Sequence, residues 1–458
     1  MTILWAEHAL LSQGWAKNVR VELGADGRIA KVEDKVELSA APDAKRVGLL
    51  LPAMANLHSH AFQRAMAGLS EARGPHPRDT FWTWRQIMYR FLDHLTPEDV
   101  EAIAALVQME MLEAGYATNV EFHYLHHRPG GGSYDNIAEM SERIVAAAAR
   151  TGIGLTLLPV HYQFGGVDRR PLGPGQSRFG TTPDEFVALL DAAEAALTHL
   201  PADTGIGVAP HSLRAVSPEA LALCERLRPG RPLHMHLAEQ IPEVEEVFAA
   251  RGRRPVEWLL DNHSPDGRWT LIHLTHMTGD ETTRLAATGA VAGLCPITES
   301  SLGDGIFNGT IWTQAGGRLG FGSDSNIRIS LIEELRTLEY SQRLRDTERA
   351  VLATPGRSTG RVLYEAGLDG GARAAGRETG AIAVGLWADL CAISLDNPVL
   401  FGRKGDELLD SLIFAGGNGL VTDVWAAGRH VVHDGQHMDH QRITADYMAC
   451  IGRLQERM

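Results

Sequence analysis

Lysine is the scarcest charged residue in this sequence of 458 residues. The lysines are Lys17, Lys31, Lys35, Lys45 and Lys404, so that none lies between Val47 and Arg403. The central part of the chain therefore has no side chain that could form a lysine Schiff base or the phosphate contact of a P-loop. A carbamylated lysine bridging two metal ions is excluded there for the same reason.

Cysteine and long apolar runs are also scarce, and acidic residues outnumber basic ones. The four cysteines are too far apart in the chain for a CxxC metal or redox motif, which fits a reducing compartment. A net charge of −14 argues against a nucleic-acid partner, because such a partner needs a basic surface. No apolar run approaches the length of a membrane span, and the first residues lack the basic segment of a signal peptide. We therefore expect a cytoplasmic protein that does not associate with membranes.

The chain consists of two β-rich ends and an alternating middle. Residues 1–48 contain short β-segments with turn signals, and residues 375–458 contain a hairpin pattern, VTDVWAAGRHVVHDGQ, followed by a C-terminal helix. In residues 49–374, eight short apolar runs each precede a helical or looped segment. This alternation predicts an α/β fold, a (β/α)₈ TIM barrel, with a small β-sandwich domain that both chain ends form together.

Unusual polar residues fall at the C-terminal ends of these apolar runs, where barrel enzymes build their active sites. In chain order they are His58 and His60, Tyr124, His161, His211 and Arg214, His236 and Glu239, His273 and His276, and Asp324. The alternative is that strands end in polar residues simply because loops are polar. That alternative predicts Ser, Asn, Asp and Gly, and it does not account for the repeated histidines.

A metal site is the chemistry that these histidines favour. His58 and His60 lie on the same face of one strand, because side chains alternate along it. A single HxH motif is a weak signal, and for His234 in the second one we expect a structural role. Three imidazoles, from His58, His60 and His236, with the Asp324 carboxylate and an open fifth position suit one Zn²⁺ ion, or Fe²⁺. The alternative for Asp324, taken alone, is a cap for the helix that follows it.

The motifs HSH, HMHLAEQ, LIHLTHM and SDSN, in this order, resemble the amidohydrolase superfamily, and in particular its deaminase branch. The resemblance covers essentially the whole chain, since the two ends resemble the split β-sandwich of that branch. It implies a hydrolase that acts on non-peptide C–N bonds. With no central lysine it also implies a single metal ion, although a pair of ions bridged by Glu or Cys remains an alternative.

The catalytic roles follow from this chemistry. A zinc ion lowers the pKa of a bound water to about 7. Glu239 is expected to move the proton of that water to the substrate nitrogen. We expect His273 to polarise the electrophilic carbon and Asp324 to accept the second proton. The alternative for Glu239 is an exposed acidic residue at the start of a helix.

The substrate is suggested by further segments, NLHSHAFQRAMAG, FWTWRQIMYRF, EFHYLHH and APHSLRAV, which resemble deiminases of the branch that act on N-formimino-L-glutamate. The resemblance implies a role in histidine degradation and a small dicarboxylate substrate. It implies Arg85 and Arg214 as carboxylate ligands, Gln63 and Tyr124 as hydrogen-bonding groups, and His211 near the head group or a carboxylate. The alternatives are a surface arginine at Arg85 and plain packing at Tyr124.

Several other readings of the chain remain open. A guanine- or cytosine-type aminohydrolase would use the same metal chemistry on a neutral nucleobase. A metal-storing barrel would have no use for a proton-transfer group at Glu239. A nucleic-acid-editing deaminase would need a PCxxC motif, which is absent.

We expect a homodimer as the default assembly. We also expect residues 164–183 to form a long loop over the barrel mouth that acts as a lid if it moves.

Overall fold

The computed structural model of the protein describes residues 2–72 and 80–457. In these ranges the strands, in chain order, are β1 (Thr2–Leu11), β2 (Gly14–Leu23), β3 (Ile29–Glu33), β4 (Lys45–Pro52), β5 (Met54–Ser59), β6 (Tyr116–His123), β7 (Gly154–His161), β8 (Gly205–Ile206), β9 (Ala209–Pro210), β10 (Leu233–Leu237), β11 (Trp269–His273), β12 (Val291–Leu294), β13 (Arg318–Phe321), β14 (Leu390–Ile393), β15 (Val421–Ala426), β16 (Arg429–His433) and β17 (Gln436–His437). The α-helices are α1 (Phe81–Leu92), α2 (Pro97–Glu113), α3 (Glu139–Thr151), α4 (Pro183–Leu197), α5 (Pro218–Arg226), α6 (Ile241–Arg251), α7 (Pro255–Asn262), α8 (Gly279–Ala286), α9 (Pro296–Leu302), α10 (Gly309–Gln314), α11 (Leu331–Asp346), α12 (Thr359–Ala375), α13 (Asp406–Ala415) and α14 (His440–Arg457).

The middle of the chain forms a barrel of parallel strands. β5, β6 and β7 pair in that order, with β8 and β9 beside β7, and β10 to β13 pair in sequence order. Single bridges join these two sheets, from Val208 to Leu233 on one side and from Ser59 to Asp324 on the other. The predicted TIM barrel is therefore confirmed, and its fourth strand is divided into the two short segments β8 and β9.

The helices between the barrel strands begin where their sequence signals predict. Thr96, Thr182 and Ser217 each cap a helix by accepting a hydrogen bond from a backbone N–H in its first turn, and a proline follows each cap. Helix α3 ends at Gly152, whose left-handed backbone suits glycine. In a parallel barrel, the connections from strand ends into helices lie at one end, and the site lies there.

Both ends of the chain share one further sheet, in the order β17-β16-β15-β14-β4-β1-β2-β3. The sheet curls over on itself, so that its edge strand β3 meets the segment before β14. The Ile29 N–H at the start of β3 donates a hydrogen bond to the Leu386 carbonyl in that segment at 2.9 Å. The curled sheet encloses an apolar core of its own that includes Leu4, Val21 and Trp425. This arrangement is the small β-sandwich expected from the two ends.

The expected boundary between residues 48 and 49 falls inside a strand of this sheet. β4 pairs with β1 and β14 as far as Pro52, and the first barrel strand begins only at Met54. One apolar run thus supplies two strands of different sheets, a division that hydrophobicity alone does not reveal.

The C-terminal helix α14 packs on the outer barrel helix α2 although it follows the terminal sheet in the chain. Its Arg453 and Arg457 bind the buried Asp99 carboxylate at 3.2 and 2.8 Å, and Cys450 lies beside the same group. Within residues 2–72 and 80–457, no helix is both long and apolar enough to cross a membrane.

Candidate metal centre and active site

Four side chains converge at the C-terminal end of the barrel. His58 lies on β5 and His60 directly after it, His236 lies on β10, and Asp324 follows β13. Asp324 Oδ1 is 3.5 Å from His58 Nε2 and 3.3 Å from His60 Nε2, and one ligand atom from each of the four residues falls within a 4.8 Å cluster. The structure brings together all four residues that the sequence predicts as ligands.

The orientation of the imidazole rings fits a metal ion. His60 Nδ1 lies 2.8 Å from the Phe122 carbonyl and His236 Nδ1 lies 3.2 Å from the His211 carbonyl, so both Nδ1 atoms carry the proton and donate it. Their Nε2 lone pairs then face the cluster, where His58 Nε2 and His236 Nε2 are only 3.1 Å apart. Burial lowers the pKa of His58 to about 3 and lowers that of His60 and His236, which keeps the rings neutral as ligands.

Barrel closure places Asp324 in this cluster. Its N–H donates to the His58 carbonyl and its carbonyl accepts from the His60 N–H, both at 2.9 Å. A Cβ at Gly322 would lie 2.7 Å from the His58 backbone, so only glycine allows this close approach. Asp324 itself has a φ of 46°, a left-handed conformation that is uncommon for non-glycine residues and concentrated at functional sites.

Glu239 and His273 lie beside the ligands. His273 Nε2 is 3.9 Å from Glu239 Oε1 and 3.9 Å from Asp324 Oδ2. Burial raises the pKa of Glu239. Burial lowers the pKa of His273, but Glu239, Glu299 and Asp324 outweigh it and raise that pKa to about 10. Glu239 is 4 % exposed, so that it is not the exposed helix-start acid of the alternative interpretation.

Glu299 is a site residue that the sequence reasoning missed. Its Oε1 lies 3.2 Å from His273 Nδ1 and accepts the Cys295 N–H at 2.8 Å. It therefore fixes the His273 ring so that Nε2 faces the cluster. Its position in the sequence could have indicated this role, because Glu299 lies about one helical turn after the seventh barrel strand, β12, in the segment CPITES.

One cavity leads from the surface to this cluster. The Gln63 amide donates to Tyr124 Oη at 2.8 Å, and Arg85 Nη2 donates to Tyr162 Oη at 2.8 Å. The cavity is lined by His60, Gln63, Phe81, Trp84, Arg85, Met88, Tyr124, Tyr162, Phe179, His211, Arg214, His236, Glu239, His273, Leu302 and Asp324. It thus contains each residue that the resemblance implied for the substrate, together with Tyr162 and Phe179, which sequence reasoning did not single out.

Residues 164–183 lie over one side of the cavity. Gln176 Nε2 donates to Tyr162 Oη at 2.9 Å, and Phe179 lines the cavity wall. The buried Arg178 donates to the carbonyls of His127 and Leu95 at 2.7 and 3.1 Å. The loop is therefore anchored beside the mouth, and whether it moves as a lid stays a prediction.

Three other histidines serve the scaffold. His234 Nε2 lies 2.8 Å from the Ala374 carbonyl, His276 Nε2 lies 2.6 Å from the Asp304 carbonyl, and His161 Nδ1 lies 2.8 Å from Thr181 Oγ1. None of the three belongs to a group of metal-ligand atoms within the described residues. The second HxH motif therefore contributes only His236 to the cluster.

A parallel barrel with this ligand group and a buried acid at its mouth defines a metal-dependent hydrolase. Residues 49–431 match the family model described as "Amidohydrolase family", and residues 1–46 match that of the N-terminal domain of formimidoylglutamate deiminase HutF. The chain belongs to the amidohydrolase family.

Named relatives agree over the full length. The chain is 47 % identical to a formimidoylglutamate deiminase of Pseudomonas aeruginosa, over 99 % of this chain and 100 % of the relative. A crystal structure of an amidohydrolase from Brucella melitensis superimposes with a TM-score of 0.95 at 45 % identity, covering 99 % and 100 % of the two chains. An adenosine deaminase from Xanthomonas campestris with bound zinc, at 21 % identity, a TM-score of 0.81 and 99 % and 98 % coverage, shares the fold.

Proposed function

We propose that the chain hydrolyses N-formimino-L-glutamate to N-formyl-L-glutamate and ammonia, a step in histidine degradation. The name of the Pseudomonas aeruginosa relative, at 47 % identity over its whole length, supports this substrate. The match of residues 1–46 to the N-terminal domain of the same kind of deiminase supports it independently of the barrel.

The observation in the molecule that carries the proposal is the pair of arginines in the cavity. Arg85 makes its hydrogen bond to a tyrosine hydroxyl, and the nearest carboxylate oxygen to Arg214 is 3.6 Å away, on Glu239. Arg85 has no carboxylate partner among the described residues, and the two glutamates near Arg214, with Glu243 at 4.0 Å, lie beyond hydrogen-bond distance. Such guanidinium groups suit a substrate that brings its own carboxylates. A neutral nucleobase would bring no carboxylate to either guanidinium group.

We propose one Zn²⁺ ion, with Fe²⁺ as the alternative, held by His58, His60, His236 and Asp324. The three facing imidazole nitrogens and one carboxylate oxygen fit either ion. When bound, the metal supplies the Lewis acidity that makes a water molecule nucleophilic near neutral pH.

The chain's own side chains then move the protons. Glu239 takes a proton from the attacking water and delivers it to the imino nitrogen, so that this nitrogen can leave as ammonia. His273, held in place by Glu299, donates a hydrogen bond to an atom bonded to the reacting carbon. This hydrogen bond stabilises the tetrahedral intermediate. Asp324 takes the second proton as the new C=O forms, and that proton passes to the same nitrogen as the C–N bond breaks, so that the nitrogen leaves as ammonia. One water enters and one ammonia leaves.

The substrate side of the cavity is proposed as Gln63, Arg85, Tyr124, His211 and Arg214. Arg85 and Arg214 would bind the two carboxylates, and the amide and hydroxyl groups would add hydrogen bonds. His211 stacks on the His236 ring, with ring centroids 4.9 Å apart, so that it lies beside a proposed metal ligand.

An ammonia-release assay tests the proposed function. Purified protein should release ammonia from N-formimino-L-glutamate, with N-formyl-L-glutamate identified by mass, and should release little from guanine, cytosine or adenosine. Turnover of a nucleobase without turnover of N-formimino-L-glutamate would instead support an aminohydrolase of the nucleobase type.

Three broader proposals accompany this one. We propose two domains, a barrel that ends at residue 374 and a sandwich formed by the N-terminal segment and residues 375–458. The pairing of β4 with β14 as far as Pro52 supports a first boundary at Pro52 in place of residue 48. We propose a homodimer, which size-exclusion chromatography with light scattering would test. A cytoplasmic location is supported by the four free cysteines.

A further inference from the structure

A second group of metal-ligand atoms lies beside the first. One ligand atom each from His273, Cys295 and Asp324 falls within 4.8 Å of the others, and all three residues are buried. Cys295 is 0 % exposed and forms no disulfide. The proposed reaction gives its thiol no role.

The two carboxylate oxygens of Asp324 face different groups. Oδ1 is the oxygen near His58 and His60, at 3.5 and 3.3 Å, whereas Oδ2 is the oxygen 3.9 Å from His273 Nε2. A carboxylate with one oxygen toward each of two ligand groups can bridge two cations. Asp324 is therefore placed to serve a second ion without leaving the first.

The remaining ligand atoms also face this second position. Glu299 occupies His273 Nδ1, which leaves Nε2 directed toward Asp324, and Glu239 Oε1 lies 3.9 Å from the same Nε2 as a fourth donor. Ligands around one Zn²⁺ ion lie a few ångströms apart at bond lengths of about 2.0 to 2.3 Å, so that small side-chain shifts would close the site. A thiol that coordinates such a cation loses its proton.

We propose that His273, Cys295 and Asp324 form a second, inhibitory site for a thiophilic divalent cation, Cd²⁺ or Zn²⁺ in excess. The thiolate selects these softer ions over Mg²⁺ or Mn²⁺. Inhibition rests on the proposed function, because an ion there would engage the two groups, His273 and Glu239, that the proposed reaction needs free. Binding itself does not depend on that function.

A cadmium titration of the protein loaded with one zinc ion per chain tests the site. We expect a second metal ion per chain on elemental analysis, a thiolate-to-cadmium charge-transfer band in the ultraviolet, and loss of N-formimino-L-glutamate turnover over the same concentration range. Cys295→Ala should lack the band and need about 10- to 100-fold more cadmium for the same fractional inhibition, since losing one ligand costs at least that much affinity.

A matched variant controls for cavity formation at a buried cysteine. Cys224→Ala removes another fully buried thiol, on α5 and outside the ligand group, and should keep the band and the inhibition. If Cys295→Ala does not fold, Cys295→Val fills the space, and cadmium NMR of the unaltered protein reports a sulfur ligand without any variant.

Three outcomes would overturn the proposal. They are a metal content that stays at one ion per chain because cadmium replaces zinc, an unchanged band in the Cys295 variants, and equal inhibition of the two alanine variants. Since metal content and the band are measured without substrate, a protein inactive on N-formimino-L-glutamate would contradict the proposed function and leave this test intact.

Discussion

Two buried clusters of charge stand at opposite ends of the barrel. At the end where the strands begin, Asp203 accepts hydrogen bonds from Arg429 at 2.8 Å on both oxygens, and Arg377 bridges Asp203 and Asp389. At the mouth, Glu239 and Asp324 lie among imidazoles; Arg214 is 3.6 Å from Glu239, and His273 is 3.9 Å from each carboxylate. The charges of the first cluster are paired with one another within the protein, whereas the carboxylates of the second have no hydrogen-bonded cationic partner in the described part of the chain.

The contrast separates structural charge from functional charge. Asp203 lies just before β8 and Asp389 just before β14, so the closed cluster fastens the barrel to the terminal sheet. Buried charges of this kind are satisfied within the protein, and a ligand would add nothing. At the mouth, the imidazole and carboxylate ligand atoms lie close together without oppositely charged, hydrogen-bonded partners among the described residues of the protein. Such an arrangement is expected where a bound cation and a substrate supply the missing partners.

Metal removal should have the largest effect and should affect only the mouth. Chelator-treated protein is expected to lose essentially all turnover of N-formimino-L-glutamate, because its nucleophile depends on the ion. Circular dichroism should show the fold retained, and added Zn²⁺ should restore activity. Full activity in protein shown by elemental analysis to contain no transition metal would contradict the metal assignment.

Glu239→Gln should lower kcat by about 10²–10⁴-fold, because the amide keeps the shape of the side chain and cannot carry the proton. Zinc content should be unchanged, since Glu239 is outside the proposed four-ligand set. Glu245→Gln, on the exposed face of α6, is the control and should keep wild-type kcat. An equal loss of zinc in Glu239→Gln would point to a ligand rather than a proton carrier.

Asp203→Ala should show the opposite pattern. It leaves Arg377 and Arg429 without their shared carboxylate and should lower the free energy of unfolding by about 3–5 kcal/mol, as measured by urea denaturation. The kcat of the folded protein should change little, since the cluster is at the far end of the barrel. Asp369→Ala removes an exposed ion pair with Arg373 and should cost less than about 1 kcal/mol.

Arg85→Met should have the smallest of these effects. It should lower kcat/KM for the substrate and leave the stability of the fold unchanged. Losing a charged hydrogen bond of about 1.5–3 kcal/mol predicts roughly a 10- to 100-fold lower kcat/KM for N-formimino-L-glutamate. Arg90→Met, on the exposed side of the same helix, should behave as wild type. A large fall in unfolding free energy for Arg85→Met would show that this arginine is structural, like Arg377.

The barrel and its ligand group could be predicted because each depends on local pattern and position. The strand period places His58 and His60 on one face, and barrel topology brings the C-terminal ends of distant strands to one mouth. Local pattern failed where one apolar run served two sheets. Lys45–Pro52 runs almost directly into Met54–Ser59, and only strand pairing shows that the two segments belong to different sheets.

The sequence by itself determined the alternation of strands and helices, the absence of a bridging lysine, and the types of ligand at the strand ends, since these are properties of residue order. Only the tertiary structure decided how those ligands face one another. Glu299 behind His273, Cys295 within reach of Asp324, and Gly322 against the His58 backbone all join residues from different strands or loops. Their separations depend on how the barrel closes, a long-range packing outcome that no local pattern encodes.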